Sequence, residues 1–162
     1  MPTISQNEVA VFAERFEEPT AQEVLEWAAH KFGSKVALAS SFGAEDVVLI
    51  DMLARLGGRV KVFTIDTGRL HQETYSLMDA ICEKYDIPIE VYFPSEGVEE
   101  MVNKHGSNLF YKSVELRTLC CHIRKVEPLK RALSALDAWI TGLRREQVVT
   151  RASTKKVEID YA

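Results

Sequence analysis

The chain alternates short apolar runs with longer segments of helical character, and this alternation constrains the fold more than any other feature. The apolar runs are expected to form strands at residues 35–39, 60–65, 89–93 and 138–141. Short strands that are apolar throughout, separated by helices of ten or more residues, are typical of parallel strands covered on both faces. The sequence therefore predicts an α/β fold with a doubly wound, mostly parallel sheet. No repeat or linker interrupts the pattern, so residues 1–162 are expected to form a single domain.

The segments between the predicted strands carry recognisable helix signals. Thr20 is a candidate N-cap, and Glu23 three residues later completes a capping box. Apolar residues then recur at helical spacing up to Gly33, a residue type that suits a helix end. Further helices are expected over residues 47–56, 74–85 and 129–136.

Three polar motifs follow predicted strands, and ligands of doubly wound sheets bind beyond the carboxyl ends of the strands. The first motif, residues 40–46, reads Ser-Ser-Phe-Gly-Ala-Glu-Asp. Ser40 and Ser41 offer hydroxyl donors, and Gly43 lets the backbone approach a ligand closely. The motif lacks the glycine spacing of a dinucleotide fingerprint and the ending of a Walker loop. A plain turn capped by a serine is the alternative interpretation.

The second motif, residues 66–71, reads Asp-Thr-Gly-Arg-Leu-His and follows the second predicted strand. Asp66 and Thr67 are suited to binding hydroxyl groups or base edges, and Arg69 offers a fork for an anion. Alternatively, Asp66 only forms the turn and Arg69 is a surface charge. Because this motif and the first follow parallel strands, both are expected at the same edge of the sheet.

The third motif ends the fourth predicted strand. Gly142 precedes Arg144 and Arg145, and Arg151 follows a few residues later. A glycine at a strand end followed by two arginines suits a phosphate or sulfate bound by backbone and guanidinium together. Paired arginines on a loop are otherwise usually solvated, but their position at a third strand end favours ligand binding.

Two adjacent cysteines lie among cations. Arg117 precedes Cys120 and Cys121, and Arg124 and Lys125 follow them within about one helical turn. Cations this close favour the thiolate over the thiol. A nucleophile, a ligand pair for a metal or cluster, and an inert buried pair remain open interpretations, whereas a disulfide between neighbours on a helix is geometrically awkward.

The other local signals, at Pro128 and at Cys82, are structural. Pro128 disfavours an unbroken helix through Glu127, so a kink or restart is expected there. Cys82 lies in an apolar-periodic stretch and is expected to be a buried structural thiol. Three cysteines are too few for the disulfide framework of a small secreted protein.

The charge is unevenly distributed along the chain. The net charge is −4, yet residues 117–156 contain ten Lys/Arg and only three Asp/Glu. A cationic segment on an acidic protein indicates a local anionic ligand rather than nucleic acid, with a solvated basic face as the alternative. There is no signal-like N-terminus and no apolar run near the ~18 residues of a membrane span. A cytoplasmic protein without membrane or nucleic-acid partners is expected.

Taken together, four stretches resemble the assimilatory sulfonucleotide reductases. They read SFGAED at residues 41–46, DTGRL at 66–70, RTLCCHIRKVEPL at 117–129 and GLRREQ at 142–147. The resemblance runs over residues 27–160, with the motifs in the same order. It implies an adenine nucleotide α-hydrolase-like fold. It also implies reduction of adenylyl sulfate, or of its 3′-phosphorylated form, to sulfite with release of the nucleotide and thioredoxin as reductant.

The resemblance also implies roles for individual residues. The substrate would be bound by Ser40, Ser41, Gly43, Leu70, Lys125, Gly142, Arg144, Arg145 and Arg151, with Leu70 near the base and the cations near the phosphosulfate. Family members that use adenylyl sulfate typically carry Cys-Cys here and a later Cys-x-x-Cys, which together hold a 4Fe-4S cluster. Cys120 and Cys121 would then supply two of the four ligands. Members specific for phosphoadenylyl sulfate typically lack both cysteine motifs.

The chain departs from the family pattern at its end. It stops at Ala162, before any Cys-x-x-Cys and before the segment that carries the nucleophilic cysteine, which is therefore expected beyond Ala162. The intact motifs favour a truncated reductase, inactive by itself, over a degenerate non-catalytic nucleotide-binding relative. ATP pyrophosphatases share the fold type, but they usually carry Ser-Gly-Gly-x-Asp-Ser at the first turn. A homo-oligomer is a further expectation.

Overall fold

A parallel sheet forms the centre of the structure, which is a computed structural model and describes residues 4–58 and 60–161. Its strands are β1 (Val36–Ala39), β2 (Lys61–Ile65), β3 (Ile89–Tyr92) and β4 (Ala138–Thr141). They lie in the order β3-β2-β1-β4, and all neighbouring strands are parallel. The four predicted strands are confirmed, and each end moves by at most one residue.

Seven α-helices occur among the described residues. They are α1 (Gln6–Arg15), α2 (Ala21–Phe32), α3 (Ala44–Arg55), α4 (Gln72–Tyr85), α5 (Val98–His105), α6 (Val114–Cys121) and α7 (Glu127–Leu133). The predicted capping box starts α2: the Thr20 N–H donates to the Glu23 carboxylate at 2.7 Å, and the Glu23 N–H donates to the Thr20 hydroxyl oxygen at 3.4 Å. The sequence did not predict α1 or α5. Both are short, with 10 and 8 residues, and each buries a single residue, Ala13 or Met101.

The helices cover both faces of the sheet. On one face, Leu38 of β1 packs in a cluster with Ile50 of α3, and both are fully buried. On the other face, Ala37 of β1 and Phe63 of β2 pack with Ala132 of α7. Successive residues of β1 therefore serve opposite faces, as the pleat requires. This confirms the predicted doubly wound α/β fold. Each large apolar side chain that is fully buried stabilises the folded state by about 1.5–3 kcal/mol.

The cysteine-bearing segment is helical but irregular. A π-helical turn, His122–Val126, joins α6 to α7, and the Glu127 N–H donates to the His122 carbonyl. The predicted restart is confirmed, because α7 begins at Glu127, directly after the π turn. Pro128 has no N–H and its ring crowds the preceding turn, and the wider π turn accommodates both effects.

Cys82, the length of the helices and the domain organisation complete the comparison with the sequence. Cys82 is half-buried rather than buried, because Met78 and Ile81 take the core-facing positions of α4. Among residues 4–58 and 60–161 no helix is both long and apolar enough to cross a membrane. The single-domain organisation of residues 1–162 stays a prediction.

Candidate functional site at the carboxyl edge of the sheet

The three polar motifs leave the sheet at one edge. Ala39 of β1 lies opposite Thr141 of β4, so the chain departs from both strands at the same level. The Asp66 N–H, just beyond β2, donates to the Tyr92 carbonyl at the end of β3. Because β1 lies between β2 and β4, the edge between β1 and β4 is the point where strand order reverses. Ligands of doubly wound sheets bind at such a point.

The loop after β1 is held by its own side chains. The Phe42 N–H donates to the buried Ser40 hydroxyl at 3.1 Å. The Ser41 N–H and hydroxyl both donate to Asp46, at 2.6 and 2.9 Å. Phe42 has φ 60°, a left-handed conformation that is unusual for a large residue and is often found at functional sites. Gly43 is the N-cap of α3 and offers no side-chain cap, so the N-terminus of α3 suits an anion.

The loop after β4 packs directly onto the N-terminus of α3 at Gly142. A Cβ atom at this position would overlap Asp46 Oδ1 and would lie 3.1 Å from both the Asp46 nitrogen and the Glu45 Cβ. Because real Cβ atoms do not tolerate such an overlap, glycine is required for contact between the two loops. The predicted site residues Ser41, Gly43 and Gly142 are thereby brought together.

A polar network joins two of the predicted arginines to this contact. The Arg144 guanidinium pairs with the Glu45 carboxylate at 2.7 Å, and the Arg144 N–H donates to the Gln147 side-chain oxygen at 3.3 Å. The same oxygen accepts a hydrogen bond from the Arg151 guanidinium. Gln147 therefore holds Arg144 and Arg151 in one group beside the N-terminus of α3.

Arg145 is bonded elsewhere. Its guanidinium pairs with Glu17 at 2.7 Å and donates to the Thr154 carbonyl at 2.6 Å. Lys156 donates to the Pro19 carbonyl at 2.7 Å, so these contacts fasten the segment after β4 to the connection between α1 and α2. The structure therefore gives Arg145 a structural partner, whereas Arg144 lies at the loop contact.

Two carboxylates of these networks have lowered pKa values. Hydrogen bonds from its own backbone N–H, from Gln147 and from Arg144 hold the pKa of Glu45 below its usual value, together with the charge of Arg144. The Arg145 side chain, followed by the Lys156 backbone and both charges, lowers the pKa of Glu17. Glu45 therefore stays ionised and competes with any anion for Arg144.

Acid is expected to loosen the segment after β4. Glu45 and Glu17 have folded-state pKa values below the unfolded value of about 4.3. Their stabilisation is complete above that value and is lost as the pH falls through the lower folded-state pKa values. The measurement is the urea-unfolding free energy between about pH 7 and pH 3. The double variant Glu17→Gln/Glu45→Gln should lose stability less steeply below about pH 4.3, and a slope equal to wild type would contradict the expectation.

The turn after β2 is ordered by buried Asp66. Its carboxylate accepts from the Gly68 N–H at 2.7 Å and from the Tyr75 hydroxyl at 2.9 Å. The hydrogen bond to Asp66, aided by burial and by the charge of Asp66, raises the pKa of Tyr75. Arg69, an anion-binding candidate by sequence, instead donates to the Ser107 carbonyl and the Asn108 side chain. The half-buried Leu70 ends this turn.

The cysteine pair is divided between the interior and the surface. Cys120 is buried in a cluster with Met101 and Leu109, whereas Cys121 is exposed. Both carry free thiols, which are suitable donors for an iron–sulfur cluster. Among the described residues, however, no group of three or more Cys, His, Asp or Glu could hold a metal ion. Lys125, in the π turn, is exposed.

Sequence reasoning gave no binding role to four residues that organise this edge: Glu45, Asp46, Arg124 and Gln147. Arg124 donates to the Thr67 carbonyl and is buried. An acid in the first turn of a helix is a recognisable signal, and Glu45 and Asp46 carry it. The partners of Gln147, Arg144 and Arg151, lie only three and four residues away, whereas the Thr67 partner of Arg124 lies 57 residues away and leaves no local signal.

Known proteins share this arrangement of sequence and fold. Residues 35–162 match the family described as "Phosphoadenosine phosphosulfate reductase domain". The chain is 50% identical over 129 residues to an adenosine 5′-phosphosulfate reductase of Burkholderia cepacia. It is 42% identical over 146 residues to one of Allochromatium vinosum. These alignments cover 79% and 90% of the chain.

A solved structure supports the fold. The crystal structure of a phosphoadenylyl-sulfate reductase from Candida auris, a phosphate complex, matches with a TM-score of 0.76 and 29% identity. The match covers 90% of this chain and 71% of that one. The chain spans only 52% and 57% of the length of the two bacterial relatives.

Proposed function

Because the chain belongs to the phosphoadenosine phosphosulfate reductase family, we propose that it binds adenylyl sulfate for reduction to sulfite and AMP in sulfate assimilation. Both bacterial relatives are named for this substrate, which is also called adenosine 5′-phosphosulfate. Thioredoxin is the proposed reductant, and the attacking cysteine is proposed to lie outside residues 1–162. A cytoplasmic location and a homo-oligomer stay predictions.

The packing of Gly142 against the N-terminus of α3 carries this proposal. It places the Ser40–Gly43 loop and the Arg144–Arg151 segment side by side at the reversal point of the sheet. Adenylyl sulfate has an adenosine part and a doubly anionic phosphosulfate. The first loop would bind the nucleotide through Ser40, Ser41 and Gly43, with Leu70 near the base. The second segment, with Lys125, would bind the phosphosulfate.

In the proposed complex the arginines have different roles. Arg144 and Arg151 share Gln147 beside the N-terminus of α3, so both would stabilise the negative charge that grows on the nucleotide as the sulfur–oxygen bond breaks. Bound phosphosulfate would replace the Glu45 carboxylate as the partner of Arg144. Arg145, which is paired with Glu17, would contribute mainly by fastening the segment.

The cysteine pair fits a 4Fe-4S cluster in donor type and supplies half of its ligands. We propose that Cys120 and Cys121 are two of the four thiolates, and that the other two come from outside this chain, whose only other cysteine is Cys82. When bound, the cluster would supply iron held by thiolates and would link these two cysteines to the other two ligands. The chain's own contribution is to present one buried and one exposed thiol from one helix end.

Calorimetry with adenylyl sulfate tests the proposed binding directly. The wild-type chain is expected to bind adenylyl sulfate, and Arg144→Gln to raise its Kd about tenfold, the usual effect of losing one charge-assisted hydrogen bond. Adenosine has no anion, so its Kd should change less than about twofold. Arg145→Gln is the matched control, and its effect on adenylyl sulfate should also stay near twofold because Arg145 is paired with Glu17.

The same titrations separate the alternatives. Tighter binding of phosphoadenylyl sulfate than of adenylyl sulfate would favour the 3′-phosphorylated substrate, the one named for the Candida auris protein. Absence of binding to both nucleotides would refute the proposal. Pyrophosphate release from ATP would indicate the pyrophosphatase-type chemistry instead.

A further inference from the structure

Arg124 is a buried cation whose partners do not satisfy it. Its residue surface is only 9% exposed, yet no ion pair joins it to an acidic side chain within residues 4–58 and 60–161. Its Nε is buried without a hydrogen-bond partner in the same part of the chain. Burying a guanidinium without a carboxylate is costly, and an unsatisfied buried donor requires an explanation. A role in packing alone does not explain why this donor is buried without a partner.

The hydrogen bond that Arg124 makes connects two parts of the site. The side chain extends from the π turn that follows Cys121, and its Nη1 donates to the Thr67 carbonyl at 2.5 Å. The contact extends to Gly68, where a Cβ would lie 3.3 Å from Nη1. Gly68 has φ 69°, so both its backbone and its lack of a side chain suit this approach.

The turn that Arg124 reaches is ordered by hydrogen bonds of its own. The Asp66 and Thr67 side chains accept the Gly68 and Arg69 N–H groups, at 2.7 and 3.2 Å. The Arg69 guanidinium lies 4.8 Å from the centre of the Phe110 ring, in the cluster that also contains Cys120. Two arginines thus connect one turn to the cysteine-bearing region, and Arg124 is the buried one.

We propose that Arg124 is a positioning residue that couples the π turn directly after Cys121 to the Asp66–Gly68 turn, so that nucleotide binding at the sheet edge orders both. The nucleotide part of this inference rests on the proposed function. A π turn departs from the regular hydrogen bonding of the α-helix, and such turns are frequent at functional sites. The free Nε leaves one donor for an acceptor that arrives with a ligand.

Hydrogen–deuterium exchange with and without adenylyl sulfate tests the coupling. In wild type, the nucleotide should slow exchange about fivefold or more in peptides covering residues 66–70 and 121–128, in line with ordinary coupling energies. In Arg124→Gln, protection should be confined to residues 66–70. If Arg124 had a purely structural role, its loss would raise exchange in both peptides, with and without nucleotide. Nucleotide would then still slow exchange in both peptides of the variant.

Arg131→Gln is the matched control. Arg131 also lies on the helical segment after the cysteines and also donates to a carbonyl at a strand end, that of Phe93, but it is exposed. This variant should keep nucleotide protection in both peptides. If Arg124→Gln does not fold, Arg124→Lys, which keeps the charge but lacks the fork, is measured in its place with the same expectation. Equal protection of both peptides in the Arg124 variant overturns the proposal.

Exchange in the ligand-free chain distinguishes a failure of the proposed nucleotide binding from a failure of the Arg124 proposal. If the wild-type chain binds no nucleotide, the ligand-free exchange of the Gly68 and Arg69 amides still reports on Arg124. Loss of Arg124 should raise their exchange about fivefold relative to Arg131→Gln. Unchanged exchange in the ligand-free chain contradicts the positioning role whatever the ligand is.

Discussion

Gly142→Ala is expected to abolish most of the nucleotide affinity and to destabilise the fold. The new Cβ would overlap Asp46 Oδ1 and lie 3.1 Å from the Asp46 nitrogen, so the loop after β4 must move away from α3. Overpacking of this kind costs about 1–3 kcal/mol. The movement also separates Arg144 from the N-terminus of α3. Loss of two oriented donors to the phosphosulfate would raise the Kd on the order of 100-fold.

The measurements for Gly142→Ala are urea unfolding and calorimetry with adenylyl sulfate. Gly57→Ala is the matched control, because Gly57 lies just beyond the other end of α3, has φ 84° and leaves open space, with nothing within 4 Å, where the new Cβ would stand. Strain at positive φ should cost this control about 1–2 kcal/mol without changing affinity. Similar affinities for Gly142→Ala and wild type would show that the loop contact does not shape the binding site.

Asp46→Ala is expected to be the most destabilising single change at the sheet edge. The buried Asp46 carboxylate is the acceptor for both the N–H and the hydroxyl of Ser41, and it lies in the first turn of α3. Its removal leaves both Ser41 donors without this acceptor, at about 1–3 kcal/mol, and removes a favourable charge at the helix N-terminus, at about 0.3–1 kcal/mol. We expect a loss of about 2–4 kcal/mol, and no detectable nucleotide binding.

Asp51→Ala is the control for this prediction. Asp51 lies on the same helix and also has two partners, the Tyr85 hydroxyl at 2.9 Å and the Arg55 guanidinium at 2.8 Å, but they lie away from the strand ends. Its loss should destabilise the fold less than the loss of Asp46, because a partly exposed pair contributes little, and should leave nucleotide affinity unchanged. If Asp46→Ala were no more destabilising than Asp51→Ala, the loop after β1 would not depend on its carboxylate.

The position of the site could be predicted from the sequence because parallel strands end at one edge. The apolar runs located the strands to within one residue, and Ser40, Asp66 and Gly142 each follow one of them. The capping pair Thr20 and Glu23 was equally readable, since both partners lie within one helical turn. The strand positions follow from local apolar runs and the capping box from contacts within one helical turn, and local patterns report both.

The partner that each arginine binds could not be predicted from local patterns. By spacing alone, Arg144 and Arg145 are equivalent members of a pair, Arg69 is a cation at a predicted anion site, and Arg124 is a cation beside the cysteines. The structure gives Arg145 a partner 128 residues away in Glu17, and Arg124 a partner 57 residues away in Thr67. Arg69 is satisfied by Ser107 and Asn108. A guanidinium binds whichever acceptor the fold brings near, and that acceptor has no signature beside the arginine.

By itself, the sequence determined the strand positions, the common edge of the polar motifs and the resemblance that places the chain in its family. Those properties follow from residue periodicity and from short motifs. Only the tertiary structure decided the strand order β3-β2-β1-β4, the close approach of Gly142 to α3 and the burial of Cys120 beside an exposed Cys121. The physical reason is that these features arise from packing between elements distant in sequence, where shape and hydrogen-bond partners are set by the whole fold.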